Sequence, residues 1–324
     1  MIITQTPYRI PLAGGGTDLD FYYKKRGGLL ISATFNQSVI TLVLKRQVDN
    51  KILIQTTTSK FYKDVTRVKH KLIREVLNYF KVKNKIQVSH FATLPTSTGL
   101  GSSSSLIVGL VNGIAQLKNI KLSKKKIAQI AYWIERKKLK LLGGWQDQII
   151  STYGGIQKIK IFKNGEFSVK KINIKKNILS KLEKQMLLVF TGQTRNSSKM
   201  IKQQRNNSKK IIDIYDQLKS YVKDVEKALI IGDYKKIGKI FHKHWQLKKQ
   251  ISSSITNTRL DNIYSNLLKE KSFLGGKLIG AGGGGFYLMI TDNLNSSIKY
   301  LKRKKINYTK FYFTDEGSKN IVST

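Results

Sequence analysis

The stretch LPTSTGLGSSSSLIVGLVNGIA, residues 94–115, changes character halfway. Its first part is proline, glycine and hydroxyl residues; from Ser102 the apolar positions Leu106, Ile107, Leu110, Val111 and Ile114 recur at helical spacing, predicting a helix from Ser102 to Leu117. Just upstream KIQVSHFA, residues 85–92, alternates apolar with polar as a strand does. A strand, a glycine–serine loop and a helix thus follow one another, so the loop delivers backbone N–H groups and hydroxyls to a helix N-terminus. Unpaired amides and the helix dipole favour an anion there, and phosphate is the natural ligand. Gly99 and Gly101 permit backbone conformations that a Cβ would block. The stretch is not a Walker loop, because no lysine follows the glycines. Read alone, it also fits a serine-capped helix after a loop.

Outward from this point, SVITLVL (38–44) and KILIQT (51–56) are β-branched runs that join 85–92 as strands of one sheet. An amphipathic helix fits 123–139. Two short strands over 156–174 flank the turn signal KNGE. The lysine-rich segment 175–184 is the expected crossing between two domains, 1–180 and 181–324. The second half opens with the strand MLLVFTG and continues with helices near 196–231, 234–250 and 256–270. It closes with KLIGAGGGGFYLMIT, a helix near 293–304 and a final strand, YTKFYFT. The fold class expected is α+β in two domains.

Composition narrows the function. The 324 residues contain no cysteine, and His70, His90, His242 and His244 lack metal-ligand spacing, so any metal must be held by oxygen. The formal charge of +41 suggests a polyanion partner, yet only 10 of the 60 basic residues are arginine, the residue favoured for base readout. The lysines are dispersed among Ile and Asn, with no aromatic interleaving, which reads as a solvated basic surface rather than a nucleic-acid site. No stretch resembles a leader peptide or a membrane span, so a cytoplasmic protein without a membrane partner is expected.

Two further glycine-rich segments frame the opening one. PYRIPLAGGGTDLDFY (7–22) sets a glycine triplet before Thr17 and Asp18, and GGKLIGAGGGGFYLMI (275–290) sets a glycine quartet between apolar runs. With these three segments in this order, the sequence resembles the GHMP kinases over nearly its whole length. AGGGTDLDFYYKKRGG, GGWQDQIISTYGG and VFTGQTRNSSKMIKQQ are most similar to the sugar 1-kinase branch that acts on D-glycero-D-manno-heptose 7-phosphate. Galactokinases carry G-E-H-T-D at the first site, where this chain has Gly14-Gly15-Gly16-Thr17-Asp18. The resemblance implies a ribosomal S5 domain 2-like N-terminal domain and a ferredoxin-like C-terminal domain, with the active site between them. It implies an ATP- and Mg²⁺-dependent enzyme that makes a 1,7-bisphosphate for nucleotide-activated heptose and lipopolysaccharide, with a homodimer left open. Another small-molecule kinase of the same family, or a silent sensor of sugar and ATP, is the alternative.

The resemblance also implies residue roles. ATP lies against Thr96, Ser97, Thr98, Gly99, Leu100, Gly101, Ser102, Ser103 and Ser104. Mg²⁺ falls to Glu135, in AYWIERKK, and to one serine of the four in a row, Ser103 being preferred. Asp147, in GGWQDQ, is the catalytic carboxylate, and Arg9 sits near it and the transferred phosphoryl. Gly14, Gly15, Gly16, Thr17, Asp18, Gly282 and Gly283 line the substrate, with Asp18 on sugar hydroxyls. Arg195, with Ser197 and Ser198, takes the sugar phosphate, backed by Lys24, Lys25 and Arg26. Two departures stand out. Pro11 interrupts a strand and requires an edge or bulge there, and Trp145 replaces a smaller or charged residue before Gln-Asp.

Overall fold

Two sheets divide the chain. The computed structural model describes residues 1–95, 97–194, 197–204 and 209–323. The first sheet is built from β1 (Ile2–Ala13), β2 (Gly28–Lys45), β3 (Ile52–Gln55), β4 (Ser59–Tyr62), β5 (Ile86–Ala92), β6 (Ile156–Ile161) and β7 (Phe167–Lys171). Its spine is β2, which changes partner along its length: Gly28–Ala33 pairs with β6, Val39–Lys45 with β5, and β1 runs antiparallel along the other side. The second sheet is antiparallel, in the order β11 (Tyr308–Thr309), β8 (Met186–Phe190), β10 (Phe286–Thr291), β9 (Phe273–Leu278). A last strand, β12 (Lys319–Ser323), returns to the first sheet and pairs with the start of β1.

The helices α1 (Asp20–Arg26), α2 (Lys71–Tyr79), α3 (Ser102–Leu117), α4 (Lys124–Tyr132) and α5 (Gln146–Tyr153) accompany the first sheet. The second half of the chain contributes α6 (Lys176–Glu183), α7 (Ser197–Gln204), α8 (Lys209–Ile231), which also packs on β1 and β2, α9 (Tyr234–Lys249), α10 (Thr258–Lys269) and α11 (Leu294–Arg303). The expected helix over 102–117 is α3, and the strands expected at 38–44, 51–56 and 85–92 coincide with the second part of β2, with β3 and with β5; β4, β12 and the first part of β2 were not expected. α3 is more deeply covered than its spacing suggested: Val108, off the apolar stripe, is as buried as Ile107 and Leu110. The helix lies across β1 and β2, with α2, α4 and α5 around it.

Three features differ from expectation. The helix over 123–139 is α only to Tyr132; Trp133–Lys138 continues as a π-helical turn, with Leu139 N–H reaching Ile134 O. Residues 175–184, expected as a crossing segment, do lie between β7 of the first sheet and β8 of the second, but as a helix, α6 (Lys176–Glu183). The strand YTKFYFT holds its place in the second sheet for only two residues, because buried Phe311 packs against Phe35 and draws the chain to the first sheet. There Phe313 bridges Phe35 and Thr314 N–H reaches Thr34 O. At Pro11 the strand is bulged, as a missing N–H demands: the register with β2 shifts between Pro11 and Ala13.

Candidate active site

A cleft of about 680 Å³ runs between the two halves of the molecule, walled by the loop before α3, the start of α5, the glycine triplet after β1, and the α9–β9 face. The loop is shaped by left-handed residues, Ser97, Gly99 and Gly101, with φ of 62°, 85° and 83°. Gly101 ends it as the residue before α3, and no side chain caps the helix. The first-turn amides of Ser102, Ser103 and Ser104 therefore open toward the cleft that these residues line. A Cβ on Gly101 would meet both Arg9 Cγ and Asp147 Oδ2 at 3.3 Å, so the helix start stands directly beside those two side chains.

Arg9 and Asp147, 138 positions apart, form a bidentate pair. Nε donates to Oδ1 at 2.7 Å and Nη2 to Oδ2 at 2.9 Å. Arg9 is also stitched to the loop, its Nη1 donating to Gly99 O and its backbone N–H to Leu100 O at 3.1 Å. Asp147 sits in the first turn of α5, where the helix dipole favours a carboxylate. Asp18, just after the glycine triplet, approaches the same turn, accepting Gln146 N–H at 2.9 Å. Only glycine at 144 allows this, since a Cβ there would lie 2.0 Å from Asp18 Oδ2. Burial pushes the Asp18 carboxyl above the usual 3.8, and the neighbouring Asp147 charge adds to the rise.

On the far side of α3's first turn, Glu135 is carried inward by the π-helical turn and is 3% exposed. Ser104 Oγ and Gln148 Nε2 both donate to its Oε2 at 2.6 Å, and Arg136 Nη1 lies 3.5 Å from its Oε1. The serine whose hydroxyl meets Glu135 is thus Ser104; Ser103 is exposed and faces the cleft. No cluster of three or more His, Asp or Glu side chains suited to a metal occurs among the described residues. The donors at hand, a carboxylate and serine hydroxyls, are all oxygen and suit Mg²⁺, which keeps waters and takes its other ligands from phosphates.

Of the remaining expected residues, Gly15, Gly16 and Asp18 line the cleft, whereas Gly14 presses against Leu29. The Thr17 hydroxyl is spent within the loop, 2.8 Å from Gly14 O and 2.9 Å from Leu29 O. In the third glycine segment Gly280 and Ala281 line the cleft, while Gly282 and Gly283 turn against Ile255. Ser198 lines it as well. Thr96, Arg195 and the side chain of Ser197 lie outside the described residues. Lys24, Lys25 and Arg26 point to solvent from α1, and Arg26 lies 3.7 Å from Asp216. Trp145 turns away from chemistry: it stacks on Tyr132 with ring centroids 3.5 Å apart and packs against Phe167.

Sequence reasoning missed Gln148, His244, Lys248 and Lys277. The lone charge in the apolar and glycine run around Lys277 was a legible signal. Gln148 offered none, since its partner Glu135 reaches it only through the fold.

The chain is similar to known proteins over most of its length. Residues 65–155 match the GHMP kinases N terminal domain and residues 225–302 the GHMP kinases C terminal domain. D-glycero-alpha-D-manno-heptose 7-phosphate kinase of Campylobacter jejuni is 31% identical, over 98% of each chain. A putative sugar kinase from C. jejuni superposes with a TM-score of 0.78 at 29% identity, covering 98% of this chain and 97% of the other. A D-glycero-D-manno-heptose 1-phosphate kinase from Bacteriodes thetaiotaomicron shares the fold over 100% of both chains, with a TM-score of 0.84 and 23% identity.

Proposed function

Because the chain belongs to the GHMP kinases and is an ATP-dependent sugar kinase, we propose that its acceptor is D-glycero-D-manno-heptose 7-phosphate. The hydroxyl phosphorylated is the anomeric one, and the product is the 1,7-bisphosphate that leads toward nucleotide-activated heptose. The observation that carries the mechanism is the Arg9–Asp147 pair beside Gly101, at an uncapped helix N-terminus.

The triphosphate of ATP lies over the first-turn amides of α3, where dipole and N–H groups meet negative charge. Glu135 and a serine hydroxyl of the first turn of α3 would hold Mg²⁺, which would supply charge to neutralise the phosphates. Asp147 orients the attacking hydroxyl and takes its proton; the sugar oxygen bonds to the γ-phosphorus as the bond to the ADP oxygen breaks. Positioning matters more here than strong proton abstraction, because the transition state of phosphoryl transfer is loose. Arg9 holds the Asp147 carboxylate in place through the bidentate pair and faces the charge on the moving phosphoryl. Asp18, next to the glycine triplet, accepts hydrogen bonds from sugar hydroxyls.

The test is ADP release with ATP and Mg²⁺ across heptose 7-phosphate, mannose 6-phosphate, mannose, fucose, galactose and mevalonate. A kcat/KM for heptose 7-phosphate far above all others is expected. Preference for an unphosphorylated sugar would replace the acceptor while retaining the kinase.

A further inference from the structure

The wall of the cleft formed by α9 and β9 carries a group of side chains that the transfer chemistry leaves unused. Phe241, His244 and Lys248 follow one another at helical spacing and face β9, from which Lys277 projects. Lys277 is 1% exposed, rests 4.5 Å over the Phe241 ring and donates from Nζ to Leu12 O at 2.7 Å. Lys248 Nζ donates to Gly280 O. His244 is 4% exposed and lines the cleft, yet neither ring nitrogen has a hydrogen-bond partner among the described residues.

A buried histidine with both nitrogens unmatched, beside two cations, costs stability unless something supplies acceptors. Lys277 forms no ion pair among the described residues, and the charges acting on His244 are those of Lys277 and Lys248. Burial and these like charges hold the His244 and Lys277 pKa values well below their usual ranges. Such a constellation is suited to a dianion rich in acceptor oxygens. Its place selects which one. Lys277 reaches the carbonyl two residues before the glycine triplet, in the cleft that is also lined by Gly16 and by Tyr215, which lie against one another.

We propose that His244, Lys248 and Lys277 form the subsite for the phosphate of the acceptor that is not transferred, and so set the preference for a phosphorylated sugar. This rests on the kinase reading above and adds residues to it. A phosphate monoester seated there accepts from His244, Lys248 and Lys277 and turns their mutual repulsion into attraction.

The test uses His244→Gln, Lys248→Met and Lys277→Met, with Lys277→Arg as a charge-retaining control. The ratio of kcat/KM for mannose 6-phosphate or heptose 7-phosphate to that for the same sugar without phosphate is expected to fall about tenfold or more per variant, through KM. KM for ATP stays constant, and Lys277→Arg recovers part of the ratio. Calorimetric titration of the wild type with mannose 6-phosphate, in buffers of different ionisation enthalpy, should show proton uptake that His244→Gln reduces. An unchanged ratio in all three variants, or a matching rise in KM for ATP, overturns the subsite. If Lys277→Met fails to fold, His244→Gln and Lys248→Met still decide. A wild type that releases no ADP with any sugar phosphate overturns the kinase reading itself, and the subsite with it.

Discussion

At the scale of single residues, the pair that organises the cleft is also the one that substitution should separate most cleanly from binding. Asp147→Asn keeps a hydrogen-bond acceptor near Arg9 but loses the proton acceptor, so kcat should fall by about 10²–10⁴ with KM for ATP nearly unchanged, as steady-state kinetics will report. Asp18 gives a prediction of the opposite kind. Its carboxyl titrates above 3.8 in the folded chain, so its contribution to stability is full below that value and is lost as pH rises through the raised one. Asp18→Asn should therefore stabilise the protein near neutral pH, with no gain in acid, while lowering turnover; urea midpoints at about pH 4 and about pH 8 measure the difference. That Arg9, Asp18, Glu135 and Asp147 gather at one cleft was legible through the resemblance to the GHMP kinases. His244 was not, because an unmatched histidine looks like any core histidine until its neighbours are known.

At the scale of elements, α3 was read to its boundaries because its apolar positions, serine start and glycine approach all agree. The π-helical turn was not, since 123–139 reads as one amphipathic run. Only the need to turn both Ile134 and Glu135 inward shows that one extra residue has been taken into the helix. The start of α5 was half legible: GGWQDQ marked Asp147, but not that Asp18 comes up against Gly144. Gly144→Ala sets a Cβ where Asp18 Oδ2 lies and forces the carboxylate or the helix start to move. A loss of about 1–3 kcal/mol in chemical denaturation is expected, together with a rise in sugar KM.

At the scale of the whole molecule, the charge of +41 is a repulsion spread over the surface. Screening should raise Tm as NaCl is increased from about 0.05 to about 0.5 M, which calorimetry can follow. No described helix is long and apolar enough to cross a membrane. The two-sheet division was legible from the strand runs, but the return of the chain to the first sheet was not, because KNIVS is short and its pairing is wholly non-local. That return braces the active site: Ser318 N–H reaches Ser151 O in α5, and Glu316 packs against Gly154 just beyond it. Ending the chain after Thr314 should lower Tm by about 5–10 °C and reduce turnover. The same pairing carries a cost in time. Ile2 is matched with Ser323, and although closing so long a loop adds little free energy, about 0.6 kcal/mol per doubling of length, a ribosome adding about 5–20 residues per second needs tens of seconds to deliver the partner. Throughout that interval the outer edge of β1 is bare and open to other nascent chains. β1, made before the other described strands, is the last of them to acquire its second neighbour.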